Sequence, residues 1–291
     1  MTSLRHTRAA LSISASTDLR ERGMSELHTR HAFTEIARHI LAAGGAVAYS
    51  GEVDAGGYAR ILFDLAETYD PQGSPATDRV VDYLSWHIYR ALGVDDEAAL
   101  IDVATLVGVP PPPMIAIDDP DLASLDKNTP AARWKRAHCL RSMRDRMTTE
   151  TTCRVILGGA TITRRGVIYQ GILEEAVMTV RAAKPLYVVG GLGGAAHLVA
   201  RTLMGETPRE FSIEGQIEVK PDYIEIVEEA SHRGELVNFE ALLEPLRETG
   251  YTGLCNGLGE SDNSRLAHSE DVDEIVALIL RGMHEVERMS S

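Results

Sequence analysis

Arg154-Val155-Ile156-Leu157-Gly158-Gly159 leads on to Gly171-Ile172-Leu173-Glu174-Glu175. The order is a β-type apolar run, a glycine turn and an amphipathic helix. It recurs where Ala46-Val47-Ala48-Tyr49-Ser50-Gly51 runs to Gly56-Gly57-Tyr58, and where Pro185-Leu186-Tyr187-Val188-Val189-Gly190-Gly191 runs to Gly193-Gly194. Glycine lets a backbone bend sharply and lets a ligand approach it. The helix that follows presents unpaired N–H groups and a positive dipole end, which suit phosphate. Repetition of the unit predicts an α/β fold: a Rossmann-like, doubly wound, mostly parallel sheet with helices on both faces. A nucleotide-like ligand is expected across its carboxyl edge.

The flanking sequence fills in the units. Ala9 to Ser14 reads as a first strand, and a helix follows from about Ser25 to Ala43, with Phe33, Ile36, Ala37, Ile40 and Leu41 as its stripe. Tyr58, Ile61, Leu62, Leu65, Ala66 and Tyr69 share a helical face. Arg79 to Ile88 leans toward strand. Asp95 to Leu106 reads as helix, and four consecutive prolines, Pro110 to Pro113, exclude helix and central strand after it. Thr129-Pro130 reads as an N-cap with proline at N1. The helix it opens carries Arg133, Lys135, Arg136, Arg141, Arg144 and Arg146, expected as a solvated basic face. Strand 153–158, helix 171–183, strand 185–189 and helix 194–204 complete a core over residues 9–205, with an irregular insertion at about 90–150. Residues 206–291 read as an α-rich extension packed on the same domain, with a short strand and turn within 217–229 and helices at 238–248 and 271–285.

Composition narrows the function. A formal net charge of −14 opposes a nucleic-acid or anionic-membrane partner. No apolar run reaches membrane-spanning length, and no signal peptide is evident, so a cytoplasmic location is expected. Cys139, Cys153 and Cys255 fit neither a zinc spacing nor a disulfide framework. His28 and His31 lack a third ligand, so no metal and no resident cofactor is expected. No Gly-x-Ser-x-Gly elbow occurs.

Candidate ligand contacts are Ser14 and Ser16 at the first strand exit, then Gly51, Gly56 and Gly57, whose spacing is neither a Walker loop nor a dinucleotide fingerprint. Gly159, Arg164 and Gly171 belong to the second unit. Gly190, Gly191, Gly193 and Gly194 are more glycines than one tight turn needs, and close ligand approach is expected to account for them. Glu174 and Glu175 project about 100° apart on one turn. One is expected to face the ligand, holding ribose or positioning water at an anomeric carbon, and the other to face solvent. Arg165 is the candidate catalytic partner. A carboxylate matched to the helix dipole is the bland alternative.

At these loops the sequence resembles the SLOG superfamily, the Rossmann-like group that includes the LOG phosphoribohydrolases, DprA proteins and TRPM N-terminal domains. The resemblance rests on Leu11–Ser16, Tyr49–Gly51 with Gly56-Gly57-Tyr58, Gly171–Glu175 and Gly190–Gly194, and covers about residues 9–205. LOG enzymes place a Pro-Gly-Gly-x-Gly-Thr turn directly before their catalytic glutamate helix. Here Gly190–Gly194 leads to Ala195-Ala196, and the glutamates sit one unit earlier. The chain is more similar to the branch found near Toll/interleukin-receptor domains and antiphage effectors. That resemblance implies binding or sensing of a nucleotide- or NAD-derived small molecule, ADP-ribose-like. A homo-oligomer is expected, with residues 206–291 completing the sheet or building its interface. An N-glycosidase and a scaffold with a degenerate pocket are the alternatives.

Overall fold

The computed structural model describes residues 3–51, 57–69, 79–93, 104–122, 128–163 and 167–290. Six strands form one parallel sheet: β1 (Arg8–Ser14), β2 (Ala46–Tyr49), β3 (Val80–Ser85), β4 (Thr105–Val109), β5 (Cys153–Gly158) and β6 (Leu186–Val189), in the order β4-β3-β2-β1-β5-β6. Strands β5 and β6 are buried along their whole length. Both faces of a parallel sheet are covered, so such strands read as unbroken apolar runs rather than alternating ones.

Helices α1 (Glu26–Ala42) and α2 (Tyr58–Thr68) cover one face. After the short α3 (Trp86–Tyr89), helices α4 (Pro130–Glu150), α5 (Gly171–Arg181) and α6 (Gly194–Leu203) cover the other. The chain thus builds outward from β1 to β4, then returns to β5 on the other side of β1. Ser14 is in register with Gly158 at this reversal. Ligand crevices of open α/β sheets form at that point, outside the carboxyl ends of the strands.

The remainder is helical: α7 (Ile213–Val219), α8 (Tyr223–His232), α9 (Phe239–Thr249), α10 (Glu260–His268) and α11 (Val272–Ser290). Phe239, Leu242, Leu243 and Leu246 join the core on the α5 face, and Ile275, Val276, Ile279 and Met283 join it on the α1 face.

Four expectations are corrected. Strand β4 takes Thr105 and Leu106 out of the expected helix, whose residues 95–103 lie outside the described residues. It is an edge strand, and the prolines begin directly after Val109, where no ladder partner is needed. The strand expected within 217–229 is helical instead. On α2 the buried side chains are Ala59, Leu62, Phe63 and Ala66, so the stripe is rotated from the expected one. The basic residues of α4 do not form a solvated face. Arg133, Arg136 and Arg144 are buried, and Lys135 donates to both Asp119 and Asp121 at 2.7 Å. As expected, Thr129 caps α4, its Oγ1 accepting from Ala132 N at 3.3 Å.

Candidate functional site

A cleft of about 420 Å³ opens at the carboxyl ends of β1, β2 and β3. Ile13, Ser14 and Ala15 line it from β1, Tyr49, Ser50 and Gly51 from β2, and Tyr83 and Ser85 from β3. Gly57 and Tyr58 close it at the start of α2, and Ile88, Leu140 and Met143 close it from the α4 side. Alternation along β3 turns Tyr83 and Ser85 toward α4, with Val81 and Met143 in the same layer. Ser85 is the N-cap of α3, yet its hydroxyl caps nothing. The Oγ is buried and makes no hydrogen bond, and the residue has no solvent exposure. Tyr58 Oη is likewise buried without a partner. Its ring packs edge-on against Phe33, with centroids 5.0 Å apart, and burial raises its pKa.

The β1–β5 reversal is knitted by backbone. Gly159 N donates to Ser14 O at 2.9 Å, and Ala160 N to Ser14 Oγ at 3.3 Å. Thr17 and Thr161 share a hydroxyl–hydroxyl bond of 3.2 Å. Ser16 Oγ is buried without a partner. Gly158 and Gly159 have φ of +62° and +98°. A Cβ on Gly159 would lie 2.5 Å from Ile172.

The glycines after β6 answer to neighbouring protein. A Cβ on Gly191 would lie 2.1 Å from Ser269 O, and one on Gly190 2.6 Å from Ala267 O. They make room for the end of α10, which corrects the expectation that ligand approach explains their number. Gly193 and Gly194, at φ +77° and +68°, form the tight entry to α6. Here Asp18 supplies the anion. Gly194 N donates to Asp18 Oδ1 at 2.9 Å, and Arg22 Nε holds Asp18 Oδ2 at 2.9 Å.

Glu174 and Glu175 are both buried, which corrects the expectation that one faces solvent. Arg141 Nε donates to Glu174 Oε1 at 2.8 Å, and Arg144 Nη1 to Glu174 Oε2 at 2.5 Å. Glu175 lies 3.4 Å from both Arg144 Nε and Arg154 Nη1. Arg154 also donates to Ser12 Oγ at 2.6 Å, to Thr148 Oγ1 at 2.9 Å and to Thr179 Oγ1 at 2.9 Å. The network ties α4 and α5 to the underside of β1 and β5. A Cβ on Gly171 would lie 2.8 Å from Arg144 Nη2, so that glycine admits the guanidinium.

With this geometry in place, a family model described as SLOG cluster2 matches residues 3–266. The chain belongs to the SLOG superfamily. The match reaches past the expected core into α10. SLOG membership points to a nucleotide-related binding or modifying role. No curated protein matches the chain.

Within this SLOG domain, Ser14, Gly51 and Gly57 meet in one cleft, whereas Glu174, Glu175 and Gly171 belong to the arginine network. Gly56, Arg164 and Arg165 lie outside the described residues. Tyr83, Ser85, Leu140 and Met143 are cleft residues that the sequence motifs do not contain. A serine ending the β3 run was the available signal for Ser85. Leu140 and Met143 carry no local signal, because the fold of α4 over the sheet brings them there. His28 Nδ1 accepts from Ser25 N at 3.1 Å, a helix-start contact. Among the described residues, no group of three or more His, Cys, Asp or Glu side chains could hold a metal, and no helix is long and apolar enough to cross a membrane.

Proposed function

We propose that the chain binds a nucleotide- or NAD-derived small molecule in the β1–β3 cleft. The observation that carries this reading is the make-up of the cleft. Tyrosine rings and the aliphatic side chains of Ile13, Ile88, Leu140 and Met143 form a wall against which a base can pack. The hydroxyls of Ser14 and Ser50 stand at the same opening, matched to ribose. The volume falls in the range of small-molecule sites, about 300–1,000 Å³. Binding is favoured over cleavage of an N-glycosidic bond by Glu174 or Glu175, because both carboxylates are engaged by arginines and neither lines the cleft.

The test is a thermal-shift screen of AMP, NAD and ADP-ribose, followed by calorimetry. Ligand at a hundredfold excess over Kd stabilises by about 2.7 kcal/mol. Leu140→Trp, which fills the cleft, is expected to abolish the shift while the free protein still melts cooperatively. Absence of stabilisation by any of the three at millimolar concentration would sink the reading.

A further inference from the structure

At the amino edge of the sheet, the end opposite the cleft, α11 is fastened at two points. Gly282 lies close against β6, where an added Cβ would come within 2.8 Å of the Tyr187 ring. Further along, Glu287 accepts from His6 N at 2.9 Å and from Thr7 Oγ1 at 3.1 Å. Between these points the packing is open. A pocket of about 170 Å³ is walled by Cys153 and Tyr187 from the sheet and by Met283 and Val286 from α11. Cys153, Tyr187 and Met283 are buried. The two fastenings fix the distance of α11 from the sheet, so the helix does not settle inward to close the gap. The side chains of the wall forgo dispersion contacts on that side.

The chemistry of the wall selects an apolar guest. Its hydroxyls are already engaged. Thr152 Oγ1 accepts from Arg8 N at 2.9 Å and donates to Arg8 O at 3.0 Å, and Tyr187 Oη donates to Asn256 O at 2.9 Å. Thr7 Oγ1 is spent on Glu287. Burial pushes the Cys153 thiol up to about 12, so it stays neutral. A buried water needs about two to four polar partners, whereas an apolar cavity of about 150 Å³ stays dry and takes benzene. We propose that this pocket is a small-molecule site distinct from the β1–β3 cleft, taking an apolar guest of single-ring size that packs α11 against β5 and β6. The guest supplies the contacts that the wall lacks and is itself removed from water. His6 and Thr152, both exposed, stand at its mouth.

The site is independent of the nucleotide reading and is tested with benzene on the full chain. Methionine methyl groups are labelled with ¹³C, Met283→Leu assigns the Met283 signal, and benzene is titrated. The Met283 methyl is expected to shift saturably, while that of Met143, in the cleft, stays in place. Val286→Phe and Cys153→Leu fill the pocket from opposite walls. Each is expected to weaken benzene about tenfold or more, read from the same titration and from loss of the benzene-induced rise in Tm. Absence of a saturable shift at Met283 overturns the site, and so does a saturable shift at Met143 in its stead. Unchanged benzene affinity in a folded filling variant overturns it as well. The titration of the parent chain decides the matter even where a filled variant fails to fold.

Discussion

Asp82 is fully buried on β3, opposite Tyr49, and neither carboxyl oxygen accepts a hydrogen bond by geometry among the described residues. Burial raises its pKa well above the usual carboxylate value, and the nearby Gly51 N–H only partly offsets this. The folded chain therefore holds a proton that the unfolded chain releases near pH 3.9, and this group makes stability fall as pH rises above that point. Asp82→Asn is expected to raise Tm at pH 7–8 and to match the parent below about pH 4. A lower Tm at pH 7–8 would contradict the assignment. His87 works in the opposite direction. Burial, then Arg136, push its pKa down to about 4. Unfolded histidine titrates near 6.5, so stability present above that pH is lost as pH falls toward 4, by about 3 kcal/mol at most. Urea unfolding at pH 7 and pH 4.5 should show a smaller acid loss in His87→Phe, and an NMR titration should place the imidazole midpoint near 4. Neither residue is conspicuous in the sequence. Their environment comes from the β2–β3 register and from helices that arrive later in the chain, whereas Ser14, Gly51 and Gly57 were legible because strand exits and glycine turns are local.

At the scale of elements, the helices are legible where an apolar stripe decides them, whereas in α4 charge does not report exposure, since Arg133, Arg136 and Arg144 are buried. Its arginines serve partners from α5, α8 and the following turn: Glu174, Glu225 and Glu235. No spacing within α4 reveals them. A buried ion pair adds little net stability, but removal of one partner strands the other. Glu174→Gln is thus expected to destabilise by about 3–5 kcal/mol in urea unfolding, while leaving the affinity for any cleft ligand within about twofold. A large loss of affinity with stability intact would return Glu174 to the ligand. The α6 entry invites the complementary measurement. Asp18→Ala removes both the cap on Gly194 N and the partner of Arg22, and should cost about 0.5–2 kcal/mol. The glycines at 190 and 191 follow the same rule. Their crowding comes from residues 267–269, distant in sequence and close only in the fold.

For the whole molecule, the question is how far the cooperative unit extends. The sequence carries the repeated strand–turn–helix units plainly, but it does not show what covers the α1 face. That role falls to α11, beyond the end of the family match at residue 266. Ile275, Val276, Leu278, Ile279 and Met283 are buried in the same cluster as Phe33, Ile36 and Ile40 of α1. Glu287 accepts from His6 N at 2.9 Å and from Thr7 Oγ1 at 3.1 Å, so the helix also fastens the chain just before β1. At about 1.5–3 kcal/mol for each buried apolar side chain, the five contribute on the order of 10 kcal/mol. Global stabilities are about 5–15 kcal/mol, so the loss would take most or all of the margin. A chain ending at Glu270 is therefore expected to lose its cooperative melting transition and to bind a hydrophobic dye. A truncated chain that still unfolds cooperatively, within about 2 kcal/mol of the full one, would show that α11 is an accessory and that the SLOG fold closes without it.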